Sequence, residues 1–358
     1  MLAKSRLHSN LFGVYLATLL RRIRHRSRVY LSFVIHLFVL FRYQRRERRL
    51  NPRVRFIAVI LIEHLGDIVA CEPVSRYLRK MDPSAKIIWF VRNEYRQLVD
   101  HNPSIDFVLP VHCLTEKNYL KSWCRFDRVF DLHFLDRSCA MCGRQSDQSA
   151  LKNKEGDEIT LRNFYSYGNI LQSMSRHSGL PPLNERPNVY ITERAISRVD
   201  ELLLPADFVV FHCSSNTPEK EWPKERWGKL ADSISANGCG VVEVGLQPTL
   251  NDSGLASYIN AAGTLSILET AEIIRRGKIF IGVDSGPAHL ANAVGTYGIV
   301  LLGSYLGFKK YNPFSGNYGD GSNAALLHVE GAVANIPLER VQQAVDNAFQ
   351  SQRSMNGW

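Results

Sequence analysis

At 358 residues, with 45% apolar and 22% charged side chains, the chain is composed as a globular protein rather than a disordered or fibrous one, and its length suits two compact domains better than one. The formal charge of +10 would suggest a polyanion partner if it were evenly spread, but residues 1–55 hold fourteen Lys and Arg against one acid, Glu47. The other 303 residues carry 30 bases and 33 acids, so a near-neutral body wears a basic arm.

The arm, residues 1–54, contains two apolar runs, Leu11–Leu20 and Val29–Phe41, separated and flanked by arginines. Neither reaches the roughly 20 residues that cross a bilayer, and Ser32 and His36 interrupt the second. No small-residue cleavage site follows, so a signal peptide does not fit. The arm reads as a cytoplasmic, peripheral anchor on the inner face of the membrane, with Leu, Phe and Val in the acyl boundary. Arginines would meet anionic headgroups at about 1 kcal/mol per charge. A helical pair packed on the body and a nucleic-acid-binding tail are the competing readings; long apolar runs have no use on a phosphate backbone, so no nucleic acid is expected.

From Arg55 strands and helices alternate. Strands are predicted at 55–64, 85–91, 106–111 and 127–134, and helices at 68–81, 94–102 and 162–179, the last ended by Gly179 and Pro181. The polar stretch 143–160 reads as a surface loop. A second series has strands at 207–213, 238–245, 278–284 and 298–304 and helices at 224–237, 266–277 and 287–295. A helix at 337–352 closes the chain. This order predicts two Rossmann-like, doubly wound α/β domains facing across a cleft: 55–185, a linker over 186–206, then 207–335, with 336–358 as a terminal helix and tail. The cleft between the strand carboxyl ends is the expected ligand site.

Seven scattered cysteines suit a reducing compartment. Cys139-Ala-Met-Cys142 has zinc or redox spacing, with Cys113, Cys124 and His133 as candidate further ligands; structural thiols are the favoured reading, and no metal is expected.

Three turns carry the chemistry. At 281–304 a strand ends in Asp284-Ser285-Gly286-Pro287 and a helix begins with His289 in its first turn. Free N–H groups and the positive dipole end make an anion pocket there, and Gly286 lets a diphosphate approach the backbone. His289 reads equally as a packed core histidine. At 212–227, Ser214, Ser215, Asn216 and Thr217 supply donors and Lys220 a mobile charge. At 62–73, Gly66-Asp67 places a carboxylate at a helix start facing the cleft, either as a cap or as a general base.

These turns, with "HNPSIDFVLPV" (101–111), "FDRVFDL" (126–132) and "GTLSILETAEII" (263–274), resemble glycosyltransferase family 9, which includes the lipopolysaccharide heptosyltransferases. The resemblance implies the two-Rossmann GT-B architecture and inverting, metal-independent and cofactor-free transfer from a nucleotide-diphosphate sugar such as ADP-heptose. The acceptor it implies is an anionic glycolipid or oligosaccharide. It implies Asp67 as base and Lys220 on the donor phosphates, with Ser214 and Ser215 beside it. It also places Leu265 over the nucleobase, Asp284 on sugar hydroxyls, and Ser285, Gly286 and His289 in the phosphate-binding helix start. Gly66, Arg92 and Arg137 border the implied acceptor site, and Arg96 and Arg144 lie nearby. Cys71 replaces a hydroxyl residue common in the family. "LQPTLND" after Gly245 lacks the glutamate expected near the ribose, for which Gln247 or Asp252 would substitute. A nucleotide-sugar epimerase of the same plan and a non-catalytic glycan-binding protein remain the alternatives.

Overall fold

The computed structural model describes residues 2–62, 64–134, 136–139, 141–142, 144–145, 159–250, 257–304 and 311–355; for 2–15, 144–145 and 353–355 it describes backbone alone. The first lobe runs α1 (Leu2–Leu50), β1 (Phe56–Ile60), α2 (Leu65–Ala70), α3 (Glu72–Met81), β2 (Lys86–Val91), α4 (Gln97–Asp100), β3 (Phe107–Pro110), α5 (Leu114–Trp123), β4 (Arg128–Asp131), β5 (Ser138–Cys139), β6 (Arg144–Gln145) and α6 (Ile170–His177). Its main sheet is parallel, in the order β3-β2-β1-β4, and β5–β6 is a separate antiparallel pair. The second lobe adds α7 (Glu193–Asp200), β7 (Phe208–His212), α8 (Lys224–Ala236), β8 (Gly240–Glu243), β9 (Tyr258–Asn260), α9 (Ile267–Arg276), β10 (Ile279–Val283), α10 (Gly286–Val294), β11 (Tyr297–Ser304), α11 (Gly316–Gly319), β12 (Ala324–Glu330) and α12 (Leu338–Met355). These strands form one parallel sheet, β12-β11-β10-β7-β8-β9. Central strands are buried along their whole length, as a sheet covered on both faces requires.

The predicted helix 68–81 is two helices, because Pro73 cannot donate an N–H and Cys71 leaves helical geometry (φ −92°, ψ 6°). The helix predicted over 162–179 begins only at Ile170. Gly168, at φ +102°, turns the chain out of the preceding 3-10 turn, and the Asn169–Gln172 capping box starts α6 afresh. Only α4 and a short 3-10 turn form within 94–102. The predicted linker contains α7, and β9, β12 and α5 are further elements beyond those expected. Most of the 143–160 stretch lies outside the described residues.

The arm is one long helix whose second half packs on the lobe. Val29, Phe33 and Leu40 are buried, the last two in one cluster with Phe56, Ile60 and Phe90. Buried Glu116 of α5 accepts from Ser32 Oγ (2.7 Å), lies 2.7 Å from His36 Nδ1, and accepts from His112 N–H (2.7 Å). Gln44 donates to Arg125 O (2.9 Å) and Tyr43 stacks on Phe107 at 4.4 Å. The alternative of packing on the body therefore holds for this half. Leu40→Ala should cost about 2–5 kcal/mol in urea unfolding; an unchanged midpoint would mean that α1 adds nothing to the core.

The lobes are joined along a continuous apolar core that includes Val59, Cys71 and Met174 of one and Leu290, Phe314 and Tyr318 of the other. Chain crossings add to it: Ile170 N–H donates to Pro313 O (3.3 Å), Gly316 N–H to Asn184 O (2.9 Å) and Ser315 Oγ to Glu185 O (3.0 Å).

Candidate active site

β7 and β10 are parallel neighbours, with Gly282 in register with His212, so the loops at their carboxyl ends open side by side. That adjacency brings together residues 64 apart in the chain. Lys220, at the end of the 3-10 turn Pro218–Lys220, donates to the Asp284 carboxylate at 2.6 Å and to its carbonyl at 3.4 Å. Burial alone would raise the Asp284 carboxyl; Lys220 and then His289 hold it below its ordinary range. Ser214 and Ser215 are half-buried in the same loop. Ser285 takes the N-cap of α10 with extended backbone, and Pro287 stands in the first turn, so the helix opens its free N–H groups beside the ion pair. Ser285 Oγ donates to Val283 O at 3.1 Å rather than capping the helix.

His289 is 6% exposed and its Nδ1 has no hydrogen-bond partner among the described residues. Its ring lies 4.7 Å from that of Phe314. Burial, against the pull of Asp284 and with Lys220 adding to it, lowers its pKa to about 4. An unfolded histidine takes up a proton near the ordinary 6.5, while the native one refuses it until about 4. Stability should therefore fall as pH drops through that window. His177, also lowered to about 4 by burial, acts in the same direction. His289→Gln should reduce the acid slope of urea-unfolding stability without abolishing it; an unaltered slope would show that His289 is protonated in the native fold.

The β1–α2 turn of the first lobe rests directly on the α10 start. A Cβ added to Gly66 would stand 2.8 Å from His289 Cδ2, and one on Gly286 would stand 2.6 Å from Leu65 Cδ2. Both glycines are thus required by contact between the lobes, with neither at a positive φ. Gly66→Ala should wedge the turns apart and lower kcat/KM by about tenfold or more, since displacements near 1 Å can cost a hundredfold. Retention of full activity would show that this contact does not set the reacting geometry.

Asp67 is the third residue of α2, half-exposed, one position beyond that contact; His64, and not Asp67, occupies the N-cap. The carboxylates of Asp67 and Asp284 both act electrostatically on the buried hydroxyl of Tyr311, a residue that sequence reasoning missed. Burial raises the Tyr311 hydroxyl well above its ordinary pKa, and Asp284, Asp67 and Cys71 raise it further, in that order. Its ring meets Phe164 edge-on at 5.5 Å. No local motif marks Tyr311 or Phe314; they reach the cleft only through the fold.

The remaining predicted residues are dispersed around this centre. Leu265 is half-buried immediately before Ser266, the N-cap of α9, near the β8–β9 end of the sheet. Gln247 is exposed, and Asp252 lies outside the described residues. Glu243, at the end of β8, is buried and accepts from Thr249 N–H, Leu250 N–H and Tyr258 Oη, so it fixes the 246–250 loop. Arg92 follows β2 and Arg137 follows β4, both at the sheet edge that carries Asp67, and both are partly exposed. Arg96 pairs with Asp100 at 2.9 Å, and the Arg144 side chain lies outside the description. Cys71 is wholly buried, its Sγ 3.4 Å from Met174 Sδ, so it turns to the core.

Three of the cysteines that are scattered in sequence come together in space. Cys113, Cys139 and Cys142 meet around His25 of α1, with all four ligand atoms within 4.8 Å. His133, considered as a partner from sequence, instead lies 2.9 Å from the buried Asp131, which Lys117 also pairs at 2.7 Å. Cys124 belongs to the cluster beneath α1.

The model of the family "Glycosyltransferase family 9 (heptosyltransferase)" matches residues 175–313. Lipopolysaccharide heptosyltransferase 1 of Campylobacter coli is 25% identical over 316 residues, covering 73% of this chain and 87% of that protein. The solved structure of E. coli ADP-heptose LPS heptosyltransferase II superposes with a TM-score of 0.63 at 18% identity, over 83% of this chain and 99% of the other. A family 9 glycosyltransferase from Veillonella parvula gives 0.61 at 20% identity, over 83% and 97%. With two parallel α/β lobes, the chain has the GT-B architecture of these solved structures, and its residues 175–313 are similar to glycosyltransferase family 9, the heptosyltransferase family.

Proposed function

We propose that this protein transfers a heptose-like sugar, with inversion and without metal in the transfer chemistry, from a nucleotide-diphosphate donor of the ADP-heptose kind to a lipopolysaccharide or related surface-glycan acceptor. The observation that carries the proposal is the Lys220–Asp284 pair at the N-terminus of α10, lying across the Gly66–Gly286 contact from Asp67. Asp67 takes the proton of the acceptor hydroxyl as its oxygen attacks the anomeric carbon. The bond from that carbon to the diphosphate oxygen breaks, and the nucleoside diphosphate leaves with the charge. Lys220 and the α10 N–H groups stabilise that charge without a metal. Donor phosphates compete with Asp284 for Lys220, which frees the Asp284 carboxylate to accept from sugar hydroxyls. Ser214 and Ser215 line the phosphate side, Leu265 the nucleobase, and Gly66, Arg92 and Arg137 the acceptor side. The names of the relatives, lipopolysaccharide heptosyltransferase 1 and ADP-heptose LPS heptosyltransferase II, support this donor and acceptor.

Incubation with ADP-heptose and a heptose-deficient lipopolysaccharide should release ADP and add one heptose mass to the acceptor. Alteration of the sugar with donor alone would favour an epimerase, and no turnover over a panel of nucleotide sugars would favour a glycan-binding protein.

The arm places this chemistry at a membrane surface from the cytoplasmic side. Opposite its docked face, α1 exposes Leu16, Leu20, Ile23, Leu31, Val34, Ile35 and Phe38, with Arg24, Arg28, Arg42 and Arg45 among them. No helix among the described residues is long and apolar enough to cross a membrane. An apolar stripe bordered by arginines suits a helix lying in the headgroup region of anionic lipid. Deleting residues 1–54 would strip Phe33 and Leu40 from the core, so the outward face is the one to alter. Leu31→Ser/Ile35→Ser/Phe38→Ser should lower partitioning to phosphatidylglycerol vesicles by about tenfold or more with the fold kept; undiminished co-sedimentation would contradict the anchor.

A further inference from the structure

We propose that His25, Cys113, Cys139 and Cys142 form a four-ligand zinc site that clamps α1 to the first lobe beside the carboxyl end of β3, the edge that the proposed function assigns to the acceptor. The four side chains come from three separate pieces of chain: the middle of α1, the residue capping α5, and the β5–β6 hairpin. Cys113 Sγ stands 3.9 Å from Cys142 Sγ, and Cys139 Sγ stands 3.9 Å from His25 Nε2. A tetrahedral zinc with Zn–S bonds of about 2.3 Å separates its sulfurs by about 3.8 Å, which the Cys113–Cys142 pair matches, and the other ligand atoms, all within 4.8 Å, need only a small contraction to close on the ion. The same separation is nearly twice a disulfide bond of about 2.05 Å, and all the cysteines are free.

Ligand chemistry selects the metal. Three thiols and an imidazole suit a borderline-soft ion that accepts four-fold geometry, which is zinc, whereas magnesium and calcium take oxygen ligands. Four protein ligands leave no position for substrate, so the site is structural and takes no part in transfer. Three thiolates and Zn²⁺ leave one negative charge. Arg26, which borders the same hollow as Cys142, and Arg28, close enough to act electrostatically on His25, supply the opposite sign.

The local fold also calls for such a clamp. The β5–β6 pair has only two residue pairs, and an isolated two-stranded hairpin is marginal in water even when longer. Two ligands in Cys139-x-x-Cys142 would hold its turn, and Cys113 would fasten it to the carboxyl end of β3. His25 lies beyond Val29, the first buried apolar residue of α1 among those with described side chains, so the metal would extend the docked length of the helix by a turn. The anchor and the acceptor edge would then move as one body.

The test is the metal content of the full-length protein, purified in reductant without chelator and measured by inductively coupled plasma mass spectrometry. About one zinc per chain is expected, falling below about a tenth of that in Cys139→Ser/Cys142→Ser. Cys124→Ser, which alters a thiol outside the cluster, should keep its zinc. Wild-type protein without zinc after supplementation, iron at that stoichiometry, or a double variant that retains zinc would each overturn the proposal. Since the double variant can misfold, a second measurement uses the intact wild type. After chelation, Co²⁺ should restore one equivalent of metal with the intense visible bands of tetrahedral thiolate ligation. The weak spectrum of octahedral cobalt would count equally against the site.

Discussion

Asp67→Asn is expected to lower turnover by about two orders of magnitude or more while leaving donor affinity within about twofold. The amide keeps the shape and the short helix around it, but it cannot accept the acceptor proton, so the attacking oxygen stays a neutral hydroxyl. Donor affinity should survive because the phosphates rest on Lys220 and the start of α10, in the other lobe. The split between turnover and binding matters, since a merely structural Asp67 would move both or neither. The assay is single-turnover transfer with saturating donor, beside calorimetric titration of ADP. A variant with wild-type turnover would remove Asp67 from the chemistry.

Lys220→Ala should weaken donor binding by about two orders of magnitude, more than the loss of one attractive contact in a partly exposed groove would suggest. Its absence leaves the half-buried Asp284 carboxylate without its cation, facing an incoming diphosphate of the same sign. Two consequences separate this from simple loss of contact. Asp284→Asn on top of Lys220→Ala should recover part of the lost affinity, giving a coupling of about 0.5–3 kcal/mol in a double-mutant cycle. In the wild type, Lys220 keeps the Asp284 carboxyl below its ordinary range. Without Lys220 that carboxyl should titrate at higher pH, so lowering the pH should protonate it and partly restore binding in the single variant. Strict additivity, or wild-type affinity for ADP in Lys220→Ala, would place the phosphates elsewhere.

The parts of this molecule that were legible in sequence are those whose signals are local. Phe280–Val283 followed by Asp284-Ser285-Gly286-Pro287 declares a strand, a turn and a helix within ten residues, and the fold has all three, with Ser285 at the N-cap but its hydroxyl turned to Val283 O. Gly66-Asp67 and the Ser214–Lys220 loop follow apolar strands in the same way. What escaped was set by distant contacts or by competition between local preferences. β12, an edge strand whose residues are mostly half-buried on both faces, has no alternation strong enough to separate it from a loop. Pro73 interrupts a helical pattern that is otherwise continuous. α1 is apolar on both its docked and its outward faces, so periodicity could not tell packing from membrane binding, and the structure supports a docked face for its second half. Tyr311 and His25 are isolated in the chain, and only the folded lobes bring one within electrostatic reach of Asp67 and Asp284 and the other among three thiols.

A crystal structure with a non-hydrolysable donor analogue would show whether one diphosphate is held by the second lobe while one carboxylate waits in the first. The diphosphate should contact Lys220 Nζ and the N–H groups opening α10, with Asp284 released to the sugar and Asp67 on the face of the anomeric carbon opposite the leaving oxygen. A diphosphate seated away from Lys220 and Gly286, or Asp67 on the same face as the leaving group, would rule this arrangement out.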